Sequence, residues 1–433
     1  PLFFFNYIVG ILLLFVLYKI AVLLLKNDIL AKASIVLWGS LISSFVYLRH
    51  ALFYDTGFLL LCYALLIILK AHAGSTSKNL TFFLSGILAV FGFTVYPGYF
   101  PMVFILFLLT LSCKKNGSLI QRSGPPVAFA SGGFLVLFLF EIAARMVGKS
   151  YFLIMREVSA IMTQAIQGSF EESLIFSVKY LLDVENITGL IIIVGVTAFF
   201  YLFFLRKEKN EPDEIFSPMN IIAFSVVGCL LYYGAMGYFA HKVVLYARLL
   251  HQYLPFFCIM TFYSLKSIFG EKNIRSFIAT MVITTIATVV FCFHLAAYRN
   301  LAYPRDLGFE LLKHHPKQNI RLLNEYNSPY FWGKAPLQID DNSLTIKNAS
   351  FSNELVLLVN FCYFYPVNDM TKYRPFVPPS FFIEKYSNSH FLSFKSYQYE
   401  GFNIAERTNL RMMKPMVKIF FVNYNSQNDP SSK

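Results

Sequence analysis

Apolar runs long enough to cross a bilayer recur along this chain, and no other feature constrains its fold as strongly. A hydrocarbon core of about 30 Å asks for roughly 20 consecutive apolar residues per helix. Inside that core each backbone N–H and C=O must find its partner within the protein. The pattern predicts an α-helical polytopic membrane protein of about ten spans. They are expected at 1–25, 33–48, 52–70, 80–93, 98–112, 126–147, 187–205, 217–239, 249–266 and 276–297. The fourth and fifth meet at Tyr96-Pro97-Gly98-Tyr99, where Pro-Gly signals a turn, so a hairpin with its tip at the membrane edge is expected.

Composition agrees with this reading, since 56% of the 433 residues are hydrophobic and 14% are charged. The net charge of +13 comes from basic residues in short loops between apolar runs, with no basic stripe or binding motif. That distribution argues against a nucleic-acid partner and for orientation by the positive-inside rule. Thirteen Lys and Arg fall in the loops near 26–32, 70–78, 114–122, 206–209 and 266–275, against seven in the alternate loops. The first set is therefore expected on the cytoplasmic side. The Arg49 to Asp55 island, the 96–99 turn, the 148–186 connection and the tail then face outward.

The 148–186 connection carries apolar residues at near-helical spacing, among them Phe152, Met155, Val158, Ile161, Met162 and Ala165. Amphipathic helices on the outer interface are expected there. After residue 299 the apolar runs shorten to strand length, as in Leu344 to Ile346, Leu355 to Phe361 and Val417 to Val422. The expectation is a transmembrane domain over 1–298 and a small outward-facing soluble α+β domain over 299–433, with a helix near Leu307 to His314. This tail has sixteen Lys and Arg against eleven Asp and Glu.

Cys62, Cys229, Cys258 and Cys292 lie inside apolar runs and Cys113 closes another, so they read as small buried hydrophobes without a disulfide framework. The chain starts at Pro1 with a spanning run and no signal-peptide flank or cleavage site. A further span and an outer loop are expected to precede it. Glu141 is the acidic residue expected deepest in a span, and Arg145 four residues on predicts a helix-face ion pair. Gly148-Lys149-Ser150 lacks the upstream glycine of a phosphate loop. His314-His315 point apart on a helix, which disfavours a metal site.

Two polar islands share the outer side. One is Arg49-His50 with Tyr54-Asp55; the other is His241-Lys242 with Tyr246, Arg248, His251 and Tyr253, leading into a span interrupted at Pro255. Ionisable groups at a membrane edge are costly unless solvated or paired, which marks them as functional candidates beside the plainer reading of an interfacial belt. Arg248, Lys242, His241 and His251 suit the phosphate of a lipid-linked ligand, arginine as a planar fork and lysine as a point charge. The islands are expected to face each other across one outward cavity covered by the 148–186 helices.

The stretch SSFVYLRHALFYDTGFLLLCYALLII resembles the third-to-fourth span junction of the GT-C integral-membrane glycosyltransferases, especially the protein O-mannosyltransferase and lipid A aminoarabinose transferase branch. LTFFLSGILAVFGFTVYPGYFPMVFILFLLTL is similar to their fifth and sixth spans, and YARLLHQYLPFF to their Arg-Tyr-Leu-Pro start of a late span. The resemblance implies transfer of a sugar from a polyprenyl-phosphate donor to a glycan, lipid or protein acceptor on the outer face. It matches Asp55 to the second acidic residue of the sugar or metal site, and Arg248 to an arginine that holds the donor phosphate. Arg49, His50, Tyr54, Tyr96, Tyr99 and Tyr246 would line the sugar or acceptor.

No cofactor is demanded, although a divalent metal at Asp55 is chemically admissible. The family's principal catalytic acid lies in a first outer loop that would precede Pro1. A catalytically inactive subunit or scaffold of a membrane complex is therefore the alternative. A transporter is the weaker third reading, because matching broken helices are lacking. The membrane is expected to be the bacterial inner membrane with a periplasmic tail, or the endoplasmic reticulum with a lumenal one.

Overall fold

The computed structural model describes residues 2–49, 54–74, 79–113, 119–157, 175–206, 217–239, 247–270 and 273–299, and five strand segments beyond them. The chain divides into two compact units, Pro1–Gln167 with Glu172–Cys292, and Gly168–Glu171 with Phe293–Lys433.

The first unit is helical among the described residues, and its last helix runs on past Cys292. In order come α1 (Leu2–Leu25), α2 (Asp28–Gly39), α3 (Ile42–Arg49), α4 (Tyr54–His72), α5 (Asn79–Val95), a 3-10 turn at Pro97–Tyr99, α6 (Phe100–Leu111) and α7 (Leu119–Met146). There follow α8 (151–157), α9 (Phe176–Tyr180), a π-helical turn at Leu181–Glu185, α10 (Asn186–Arg206), α11 (Pro218–Tyr238), α12 (Ala247–His251), α13 (Leu254–Phe269) and α14 (Ile274–Arg299).

Six helices are long and apolar enough to cross a membrane, namely α1, α4, α7, α10, α11 and α14. The other expected spans form shorter helices. The 33–48 run is broken at Ser40–Leu41 into α2 and α3, and 249–266 is broken at Gln252–Tyr253, ahead of Pro255. α5 and α6 are joined by the 3-10 turn at 97–99, where the Pro-Gly pair falls. α7 starts seven residues before the expected 126 and runs through Pro125 and Pro126, whose missing N–H groups remove bonds to carbonyls 121 and 122.

α13 is buried almost all round, including Leu254, Phe256, Phe257, Ile259, Met260 and Phe262. It packs against α10, α2 and α1, as a helix apolar on every side must. α4, α5 and α7 form a second layer whose backbones nearly touch. A Cβ at Gly57 would stand 2.9 Å from the Gly92 carbonyl oxygen, and one at Gly132 would stand 2.0 Å from that of Phe83. Where hydrocarbon replaces water, close contact of this kind is what drives helices together.

Polar contacts sort the loops into two ends. At one, Lys266 Nζ donates to the Leu25 carbonyl (2.8 Å), a cation at the carbonyl end of α1. His72 Nε2 lies 2.9 Å from the Leu109 carbonyl oxygen. Asp28 there pairs with Lys32 (2.6 Å) and with Tyr18. The Lys32 hydrogen bond first, and that of Tyr18 second, hold its carboxyl below the usual range. At the other end meet residues near 43, 54–55, 96–99, 180–185, 233 and 251–252.

None of the described cysteines forms a disulfide, and Cys62, Cys113 and Cys258 are buried. Cys292, expected to be buried, is exposed, because α14 turns much of its apolar surface outward. Cys362 and the expected helix at 307–314 lie outside the described residues.

The second unit carries β1 (Ile320–Leu323), β2 (Leu337–Asp340), β3 (Val356–Asn360), β4 (Phe382–Asn388) and β5 (Val417–Val422). They form one sheet in the order β2-β1-β3-β5-β4. β1 pairs in parallel with β2 and β3; β5 pairs antiparallel with β3 and β4, with a bulge between Glu384 and Tyr386.

Candidate functional site

α4 opens with Tyr54-Asp55, so the Asp55 carboxyl sits in the first helical turn, where the helix dipole favours negative charge. His251 closes the short α12, just before the break that precedes Pro255. The two meet although 196 positions separate them: His251 Nε2 lies 3.0 Å from Asp55 Oδ1. Both are nearly inaccessible, at 2% and 4% of full exposure. Burial at that level makes the contact obligatory for each partner, since a lone carboxyl or imidazole there would go unsatisfied.

Aromatic rings enclose the pair. The Trp38 and Phe58 rings lie 6.5 and 5.7 Å from the His251 ring. Tyr54, Tyr96 and Tyr99 form a ladder of edge contacts with centroids 4.6 and 4.9 Å apart. Tyr99, fully buried, donates its hydroxyl to the Tyr54 carbonyl (3.2 Å). The 3-10 turn is held in turn through its Gly98 carbonyl, which accepts from Gln252 Nε2 (3.3 Å) and Tyr233 Oη (3.4 Å).

Of the residues singled out in the sequence, Asp55, His251, Tyr54, Tyr96 and Tyr99 thus come together. His251, expected among the groups for the donor phosphate, is turned to Asp55 instead. Arg248 belongs to the same helical turn as His251, and Arg49 ends α3; their side chains lie outside the described residues. So do His50, His241, Lys242 and Tyr246 altogether.

An Asp–His pair can take up one proton from a hydroxyl, the carboxylate orienting the imidazole and stabilising its cation. As a metal site it offers two ligand groups, and three protein ligands are the usual minimum for a catalytic zinc. Among the described residues no group of three His, Cys, Asp or Glu is placed to hold an ion.

The 148–186 connection is only partly a peripheral element. α8 stays near the end of α7, where Tyr151 stacks on Phe140 (5.4 Å) and Ser150 Oγ donates to Glu141. Residues 158–174 lie outside the described part. The 176–185 stretch, however, is built into the bundle, with Phe176, Tyr180, Leu181, Val184 and Glu185 buried. Apolar side chains on that short turn find neighbours in α10 and α3.

Glu141 and Arg145 form the expected ion pair, Arg145 Nε donating to Oε1 at 2.7 Å. Glu185, rather than Glu141, is the more deeply buried carboxyl, at 1% exposure. Reading the sequence missed it because it precedes an apolar run instead of interrupting one. Its signal was an acidic residue directly ahead of a span with no basic residue one helical turn away.

No family model, no curated protein and no solved structure matches this chain.

Proposed function

We propose that this protein is a GT-C-like glycosyltransferase that moves a sugar from a polyprenyl-phosphate donor to an acceptor on the outer face of a membrane. One observation carries the reading: Asp55 and His251, drawn from two polar islands far apart in sequence, form one buried pair beside a tyrosine ladder. Asp55 with His251 receives the acceptor proton, and Arg248, with Lys242 and His241, holds the leaving phosphate. Tyr54, Tyr96 and Tyr99, with Arg49, His50 and Tyr246, line the sugar and acceptor. In this reading the shorter apolar helices complete about ten spans. The second unit is then an outward α+β domain, periplasmic in a bacterial inner membrane.

The test is transfer of radiolabelled sugar from a polyprenyl-phosphate donor by the full-length protein in nanodiscs, with glycan, lipid and protein acceptors. Asp55→Asn and Arg248→Ala should each lower kcat/KM by at least about a hundredfold, the scale of a lost acid–base group or anion clamp. Full activity in both variants would refute the assignment.

The seclusion of Asp55 under His251 favours a second reading, a GT-C-like scaffold subunit that retains the fold without the chemistry. In that case no donor and acceptor pair yields product, and the protein co-purifies with partner membrane subunits.

A further inference from the structure

Glu185 takes no part in the chemistry just described, yet its carboxyl is fully committed. Oε2 accepts from the Ile42 N–H (2.9 Å) and Oε1 from the Ser43 N–H (3.0 Å). Oε1 also accepts from the Ser43 hydroxyl, whose oxygen lies 2.7 Å from Tyr180 Oη. Ile42, Ser43 and Tyr180 are all buried. Ile42 and Ser43 stand more than 140 positions from Glu185 in the chain.

Ile42 and Ser43 open α3, and the first N–H groups of a helix have no partner inside it. A side-chain oxygen at the preceding position usually caps them. Here that position is Leu41, which has no acceptor, so the cap comes from across the bundle. α3 is eight residues long and ends at Arg49, where the first polar island begins. It also packs against α12, the turn that holds Arg248 and His251.

The backbone around Glu185 is unusual. It closes a π-helical turn, and the next residue, Asn186, has φ +52° and ψ −122°, a region that side chains seldom adopt. Single π-helical turns gather at functional positions.

We infer that Glu185 is a positioning residue, a latch from the π-helical turn ahead of α10 onto the start of α3 that sets the Arg49 end of α3 against the Arg248–His251 turn for binding of the lipid phosphate. What is bound rests on the glycosyltransferase reading; the latch rests on the geometry of Glu185 alone.

The experiment compares Glu185→Ala, Glu185→Gln and Glu185→Asp in the full chain in nanodiscs. Hydrogen exchange of segment 42–49 is measured against α11 and α13, together with KM and kcat for a polyprenyl-phosphate sugar. Glu185→Ala should speed exchange in 42–49 by at least about tenfold and leave α11 and α13 unchanged, as local opening does. Donor KM should rise at least about fivefold while kcat per folded molecule moves less, the pattern of lost ground-state binding. Glu185→Gln, with one acceptor oxygen in place of two, should fall between. Glu185→Asp keeps the charge but loses the reach, and should behave like Glu185→Ala.

Faster exchange in all three segments alike would make Glu185 an ordinary packing residue and overturn the latch. Unchanged exchange in 42–49, or an unchanged donor KM with active enzyme, would overturn it too. If the unaltered protein transfers no sugar from any donor, the glycosyltransferase reading falls, and the exchange of 42–49 by itself then decides the latch.

Discussion

Replacing Gly57 with alanine tests whether backbone contact between α4 and α5 sets the geometry of the site. The added Cβ would stand 2.9 Å from the Gly92 carbonyl oxygen and 3.2 Å from both Cβ and Cγ1 of Val95. Carbon contacts are rarely tighter than 3.4 Å, so the helices must part by about 0.5 Å or more at this crossing. No rotamer change relieves the clash, because one obstacle is backbone and the other a β-branched residue with few alternatives. Overpacking of this kind costs about 1–3 kcal/mol, against which alanine returns up to about 1 kcal/mol of helix propensity. A net loss of about 1–2 kcal/mol follows.

The displacement falls within one turn of Asp55 and Tyr54, both of which face partners outside α4. Misplacement approaching 1 Å can reduce a rate by about a hundredfold, so on the proposed glycosyltransferase reading sugar transfer should drop by about tenfold or more with the shift of about 0.5 Å.

Gly228→Ala supplies the control. Gly228 lies on α11, a Cβ there would meet nothing within 4 Å, and the substitution should stabilise by up to about 1 kcal/mol. Thermal unfolding of both variants in the same detergent measures the difference, and transfer assays measure the consequence. Equal shifts in the same direction would show that the α4–α5 contact does not constrain the bundle.

Two further outcomes follow from single contacts. In a double-mutant cycle, Asp55→Asn and His251→Phe should each destabilise, and their coupling should reach about 1–3 kcal/mol because each strands the other's buried polar group; strict additivity in detergent unfolding would show that the pair does not interact. At Asn186, with φ +52°, glycine should be neutral or stabilising by up to about 1 kcal/mol, whereas valine should cost about 1–3 kcal/mol; a Val variant as stable as the Gly one would refute the backbone assignment.

The helices were legible wherever one apolar run determined them. Leu2 to Leu25 and Asn186 to Arg206 fall within a residue or two of expectation, because hydropathy and length alone decide a helix that has only hydrocarbon and other helices for neighbours. The turn at 97–99 was equally visible, since Pro-Gly is a local instruction. The break between α2 and α3 was not. Nothing in residues 33–48 forbids a continuous helix as firmly as proline would, and the acceptor that makes a second start possible sits on Glu185.

The same distinction divides the site. Asp55 and His251 stood out in the sequence because ionisable groups beside apolar runs carry a desolvation cost that must be met somewhere. What met it was not readable. His251 had a basic neighbourhood that suited a phosphate, yet its imidazole turns to a carboxyl contributed by another helix. A hydropathy pattern fixes how many polar groups need partners but not which groups meet.

The two surprises have one physical source. In a bundle whose surroundings offer no hydrogen bonds, a helix can begin in the interior only where the protein supplies acceptors for its first N–H groups. A polar island can likewise be buried only against a complementary one. Both conditions tie together segments remote in sequence, as Glu185 ties the turn ahead of α10 to α3 and Asp55 ties α4 to α12. Both ties gather at one end of the bundle, so that the irregular backbone at 40–41, 97–99, 181–186 and 252–253 clusters there while the regular spans run away from it. Irregular main chain at membrane depth survives only where protein or a polar cavity satisfies it. Two of these breaks, at 97–99 and 252–253, adjoin the buried Asp–His pair, and the other two, at 40–41 and 181–186, meet through Glu185, so the shape of this end of the bundle is held by specific contacts rather than by hydropathy.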